Sequence, residues 1–212
     1  MTPHVPSAPV LASGPWPLAS SGRRDGFTFV ESMVAVSITA MAGAAILLGV
    51  SASLQSTTSA LEQTVALGLA QQLMDEMAGK RYAKVATNPY DSPLAPTTGE
   101  SAGPGRSEFT NLAAYNGLSS MPALDPWGIQ LGTDDGAGGQ RDPSLQAAAY
   151  FANWQQSVEV YYVDSANLSN RLTAGQTSNY RAVEVHISIQ DQSGALRPVL
   201  TLRRVFAYVP NS

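Results

Sequence analysis

A chain of 212 residues with 44% hydrophobic but only 13% charged residues carries about half the ~25% charge usual in soluble domains, and has room for one domain plus an anchor. Its formal charge of −4, with no basic cluster larger than Arg203-Arg204, argues against nucleic acid as a partner. Having no cysteine excludes disulfides and thiolate metal sites but leaves the compartment open, since exported domains can fold without bridges.

Residues 1–26, MTPHVPSAPVLASGPWPLASSGRRDG, are rich in Pro, Ser and Ala and show no hydrophobic period, so they predict a disordered leader. From Phe27 to Leu54 the chain reads FTFVESMVAVSITAMAGAAILLGVSASL. No charge falls between Met33 and Val50, and Ser37 and Thr39 are the polar interruptions. About 20 helical residues cross a hydrocarbon core, so 27–54 predicts a transmembrane helix. Arg23 and Arg24 precede it and no basic residue follows until Lys80, which puts the N-terminus in the cytoplasm and the rest outside. A secretory signal peptide fits less well. The run exceeds the roughly 7–15 residues of an h-region and flows into a helical pattern without a turn. Glu31 is the anomaly, a lone carboxylate at the head of the segment with no other charge until Glu62.

After Leu54, apolar residues recur at Leu61, Val65, Leu69, Leu73 and Met77, the spacing of one helical stripe. Gln63, Gln71, Gln72, Asp75 and Glu76 supply polar surface around it. No proline occurs between Pro17 and Pro89, and Gly79 followed by Lys80-Arg81 reads as a helix stop with cations at the negative end of the dipole. One helix of about 50 residues is expected, apolar over 27–54 and amphipathic over 55–80. A plain anchor followed by a separate soluble helix is the other reading.

Residues 81–150 are punctuated throughout by NPYDSPLAP, GESAGPG, LDPWG and GTDDGAGGQRDP. So long a stretch without periodicity is expected to wrap over the helix or an adjacent sheet. Asp134, Asp135 and Asp142 offer hard oxygen ligands of the kind calcium takes. They match no EF-hand pattern, and Asp-Gly runs are usually solvated turns. Residues 151–212 change character. Ser157–Val163 is aromatic and β-branched, Ala182–Ile189 alternates strictly, and Val199–Val209 makes a third strand after the turn QDQSGALRP. Three antiparallel strands need a cover, which the helical stripe supplies. The expected fold class is therefore α+β: a long N-terminal helix on a small antiparallel sheet of about three strands, with a long irregular loop between.

The string GFTFVES followed by an uncharged run resembles the class III signal of type IV pilins and type II secretion pseudopilins. The resemblance implies cleavage by a prepilin peptidase between Gly26 and Phe27, N-methylation of Phe27, and Glu31 as the fifth mature residue. In a staggered filament that glutamate pairs with a neighbour's N-terminal amine. Removing Arg23, Arg24 and Asp25 would take the charge from −4 to −5. Asp25 departs from the Lys or Arg that more often precedes the glycine. LDPWG also resembles a loop of major pseudopilins in which nearby acidic residues bind calcium. Gly43 and Gly49 stand where major pilins often carry a proline, which favours a minor component. The implied partners are the prepilin peptidase, sibling pilins or pseudopilins, the assembly platform with its ATPase, and the cytoplasmic membrane. No cofactor is implied.

Two other classes compete with this reading. An enzyme has little to work with: His4 falls in the leader, His186 stands on an alternating strand, and there is no cysteine, G-x-S-x-G elbow or P-loop. Gly103-Pro104-Gly105 lacks the strand–helix context of a phosphate loop. A single-pass membrane-anchored ligand-binding or interaction domain could use Trp127, Trp154 and the tyrosines, although such aromatics are more often core or interface residues.

Overall fold

The computed structural model describes residues 26–85, 88–90, 94–102 and 105–210. The expected leader except Gly26, with His4, Arg23, Arg24 and Asp25, lies outside the described residues, as do parts of NPYDSPLAP and the Gly103-Pro104 step. Helix α1 runs unbroken from Phe29 to Ala78, 50 residues, as the absence of proline and the continuous apolar pattern require. It ends one residue before Gly79, whose N–H donates to the Asp75 carbonyl at 3.2 Å while Lys80 donates to Met77 at 3.0 Å. The chain divides into two units, 1–52 and 53–212. Residues 29–52 of α1 belong to the first and 53–78 to the second.

In the second unit four antiparallel strands stand in chain order: β1 (Ser119–Ser120), β2 (Trp154–Tyr162), β3 (Tyr180–Gln190) and β4 (Leu196–Ala207). One more strand is present than the expected three, because the two-residue β1 pairs Ser119 with Ser157 and Ser120 with Gln156. The predicted strands also shift at their ends, β2 starting at Trp154 rather than Ser157 and β4 stopping at Ala207 rather than Val209. Between β3 and β4 the register slips where Ile187 faces Leu200 and Ser188 faces Pro198. Pro198, with no N–H to donate, thus sits at an irregularity of an edge strand, where proline is tolerated.

The strands alternate as their sequences predict. Trp154, Val158, Val160 and Tyr162 of β2 and Val183, Val185 and Ile187 of β3 point inward, and all are buried. Against them α1 buries Ala66, Leu69, Ala70, Leu73, Met74 and Met77, an i, i+3, i+4, i+7 face. Here the expected stripe is corrected at its start: Leu61 is 55% exposed, and the apolar packing of α1 against the core begins at Val65.

The loop-rich stretch packs into the same core, as its length implies. Leu94, Phe109, Leu112, Tyr115 and Leu131 join the buried cluster. Polar anchors hold it there. Arg106, 3% exposed, places Nε 2.9 Å from Glu76 of α1 and donates from Nη1 to the carbonyls of Leu124 and Asp125. The Tyr115 hydroxyl donates to the same glutamate at 2.7 Å, and burial pushes that phenol well above its usual range. Arg181, buried on β3, donates to the carbonyls of Tyr82 and Pro89 and to the Tyr162 hydroxyl, with the Tyr82 and Tyr162 rings 4.2 and 4.9 Å from its guanidinium. Neutral acceptors and ring faces compensate for the water this cation has lost.

Candidate functional site

Gly26 and Phe27 stand immediately ahead of α1. A Cβ added at Gly26 would meet no atom within 4 Å, so the fold makes no demand for glycine there. Phe27 is 76% exposed. Thr28 caps the helix: its hydroxyl accepts the Glu31 N–H at 3.3 Å, and its carbonyl accepts the Ser32 N–H at 3.0 Å. The spacing T-x-x-E suits a reciprocal capping box. Only the threonine half of it is formed. Among the described residues the exposed Glu31 carboxylate has neither a hydrogen bond nor a cation.

Between Met33 and Val50 the surface of α1 is apolar apart from Ser37 and Thr39. Phe29, Val36, Met41, Leu47 and Leu48 are each more than two-thirds exposed, a far larger apolar area than soluble proteins leave to water. The polar interruptions are neutralised locally, since the hydroxyls of Ser37 and Thr39 donate to the carbonyls of Met33 and Ala35, each at 2.8 Å. Donors spent inside the helix add little cost in hydrocarbon. With a mean hydropathy of 2.2 over its most apolar 18 residues and none of them buried, α1 is long and apolar enough to cross a membrane, as a single span or a signal anchor.

The acidic loop residues serve their own turns. Asp134 accepts from the Gly132 N–H at 2.9 Å, and Asp135 from the N–H groups of Ala137 and Gly139, both at 2.8 Å. Asp142 accepts from the amide and hydroxyl of Ser144 and caps the short 3-10 turn Pro143–Leu145. These bonds hold the carboxyls of Asp135 and Asp142 below the usual range, through the Ala137 amide first in one case and the Ser144 hydroxyl in the other. In LDPWG, Asp125 is buried and accepts from the Trp127 and Ile129 amides at 2.9 and 2.7 Å. Among the described residues, the acidic and histidine side chains whose ligand atoms converge within 4.8 Å as a group of three or more are Glu159, Glu184 and His186 instead.

Of the aromatic candidates, Tyr161 and Tyr162 line a surface cavity of about 230 Å³ together with Arg171 and Leu172. Trp154 is a core residue, and the half-exposed Trp127 lies over Gly138, where a Cβ would come within 3.2 Å of the indole. A surface cavity of about 310 Å³ is lined in part by Pro96, Glu100, Arg106, Phe109 and Ser120. Its two charged groups are already committed, Arg106 to Glu76 and Glu100 to the backbone and side chains of Thr97 and Thr110. Comparison with family models, curated proteins and solved structures gives no match for this chain.

Proposed function

We propose that this chain is a minor pilin or pseudopilin. In this reading a prepilin peptidase cuts between Gly26 and Phe27, Phe27 is N-methylated, and α1 first anchors the subunit in the cytoplasmic membrane. It then packs among sibling subunits in a type IV pilus or type II secretion filament. The new N-terminus lies on the cytoplasmic side and the sheet-bearing unit on the other. An assembly ATPase and its platform drive the insertion.

The supporting observation is the unspent carboxylate of Glu31. Thr28 already caps the helix, so the glutamate is not needed to start it. A carboxylate among lipid-facing residues costs about 2.5–3.5 kcal/mol at mid-membrane and less toward the interface. Cleavage after Gly26 creates an amine at Phe27, and a neighbouring subunit's amine is a partner that offsets the cost.

Processing gives the direct test. A Cβ added at Gly26 meets no atom within 4 Å, so Gly26→Val should not disturb the protein itself. With the peptidase co-expressed, wild type should begin at Phe27 by mass spectrometry and Gly26→Val should stay full length. A wild-type protein that keeps its first 26 residues would end the proposal.

A further inference from the structure

The outward face of the sheet carries an arrangement that the filament reading does not use. Glu159 of β2 and Glu184 of β3 are direct cross-strand partners, and His186 lies two residues beyond Glu184 on the same face. Like charges directly opposite each other on a sheet are destabilising, so this pairing calls for a compensating cation. Two arginines balance the two carboxylates in charge. Arg171 reaches Glu159 Oε1 at 2.5 Å, and Arg203 Nε lies 3.4 Å from Glu184 Oε1, the oxygen that also accepts from the Tyr161 hydroxyl. The opposite oxygen of Glu184, Oε2, faces His186 Nε2 at 3.7 Å. On the far side of the ring, Nδ1 is 3.0 Å from the Thr201 hydroxyl.

We propose that Glu159, Glu184 and His186 form a binding site for a divalent first-row transition metal, of which Zn²⁺ is the type. Three features support it. Carboxylate plus imidazole is a donor set such ions accept, and one ligand atom from each residue lies within 4.8 Å of the other two. The 3.7 Å between Oε2 and Nε2 is too long for a good hydrogen bond. It is close to the spacing of about 3.3 Å that two ligands of one tetrahedral Zn²⁺ adopt at bonds of about 2.0–2.1 Å. The Thr201 hydroxyl beside Nδ1 is a second-shell partner of the kind that orients a metal-bound histidine, in the tautomer that carries its proton on Nδ1. The three protein ligands leave a fourth position for water or a donor from elsewhere. Imidazole disfavours Ca²⁺, which takes oxygen ligands. The site is independent of processing at Gly26, so either proposal can fail alone.

The two arginines make the site weak, and this gives the test a gain as well as a loss. The full chain in detergent micelles, titrated with ZnCl2 against a chromophoric zinc indicator, should bind one Zn²⁺ per chain, with Ca²⁺ in excess failing to displace it. His186→Ala and Glu184→Gln should each weaken binding about tenfold or more, while His4→Ala in the leader should leave it unchanged. Arg171→Gln, at a half-exposed side chain, removes a cation a few ångströms from the metal and should tighten binding by roughly tenfold. Absence of saturable Zn²⁺ binding, or binding indifferent to His186, Glu184 and Arg171, would reduce the group to a surface ion-pair network and overturn the site.

Discussion

Glu100 is a carboxylate held by hydrogen bonds, and it organises a loop that has almost no regular structure. One oxygen accepts from the amide and hydroxyl of Thr97, at 3.0 and 2.9 Å. The other takes the amide and hydroxyl of Thr110 and the Asn111 side-chain amide, at 3.1, 2.8 and 3.2 Å. Burial alone would raise its pKa, but these donors outweigh it and hold the carboxyl below the ordinary value of 4.5. A group depressed in the folded state adds stability that is fully present above its unfolded pKa. That stability is lost as pH falls through the folded one. The second unit should therefore lose stability from about pH 4.5 downward. Glu100→Gln turns an NH₂ donor toward one set of donors, which should cost about 1–3 kcal/mol at neutral pH. The variant should also flatten that acid limb, and urea melts across the acid range measure both effects. An unchanged acid limb in the variant would show that other carboxylates set it.

At the scale of elements, α1 changes its solvent along its length, and paired substitutions locate the change. Leu73 is fully buried against the sheet, whereas Leu61, three turns earlier, is 55% exposed. Leu73→Ala should cost about 2–5 kcal/mol and Leu61→Ala no more than about 0.5 kcal/mol, read as urea midpoints of the detergent-solubilised chain. Equal costs would mean that the covered face starts earlier than Val65. The sequence carried the helix and the three long strands because each repeats its own period over many residues. It could not show where the stripe begins to be covered, since Leu61 fits the helical spacing as well as Leu69 does. The two serines of β1 carry no alternation, and their pairing depends on β2 being in place. Phe109, Leu112 and Tyr115 looked like loop residues because the polar anchors that bury them, Arg106 on Glu76 and Arg181 on Tyr82 and Pro89, come from distant parts of the chain. The candidate sites divide in the same way. Gly26, Phe27 and Glu31 stand in one contiguous string, while Glu159, Glu184 and His186 meet only through the β2–β3 register, which period-two patterning leaves open.

For the whole molecule, the two units satisfy different requirements: residues 53–212 enclose their own core, while the described residues 26–52 bury nothing. Such a division suits any membrane-anchored domain, so it does not itself distinguish a filament subunit from a simple anchored one. Glu31 does. If its carboxylate merely sits near the start of the helix, Glu31→Gln should cost little, because Thr28 keeps the cap and the amide removes a charge from an apolar surface. If it pairs with a neighbour's N-terminal amine, the same change leaves that amine buried and unpaired, a loss of about 3–5 kcal/mol. At about 1.4 kcal/mol per decade, this corresponds to two to four decades in association. Glu31→Gln should therefore still insert and be cut at Gly26, yet fail to crosslink or copurify with sibling subunits. Gln63→Ala, on an exposed turn of α1, should leave processing and assembly alike unchanged. Copurification of Glu31→Gln at wild-type levels would leave an anchored domain with no filament role for this carboxylate.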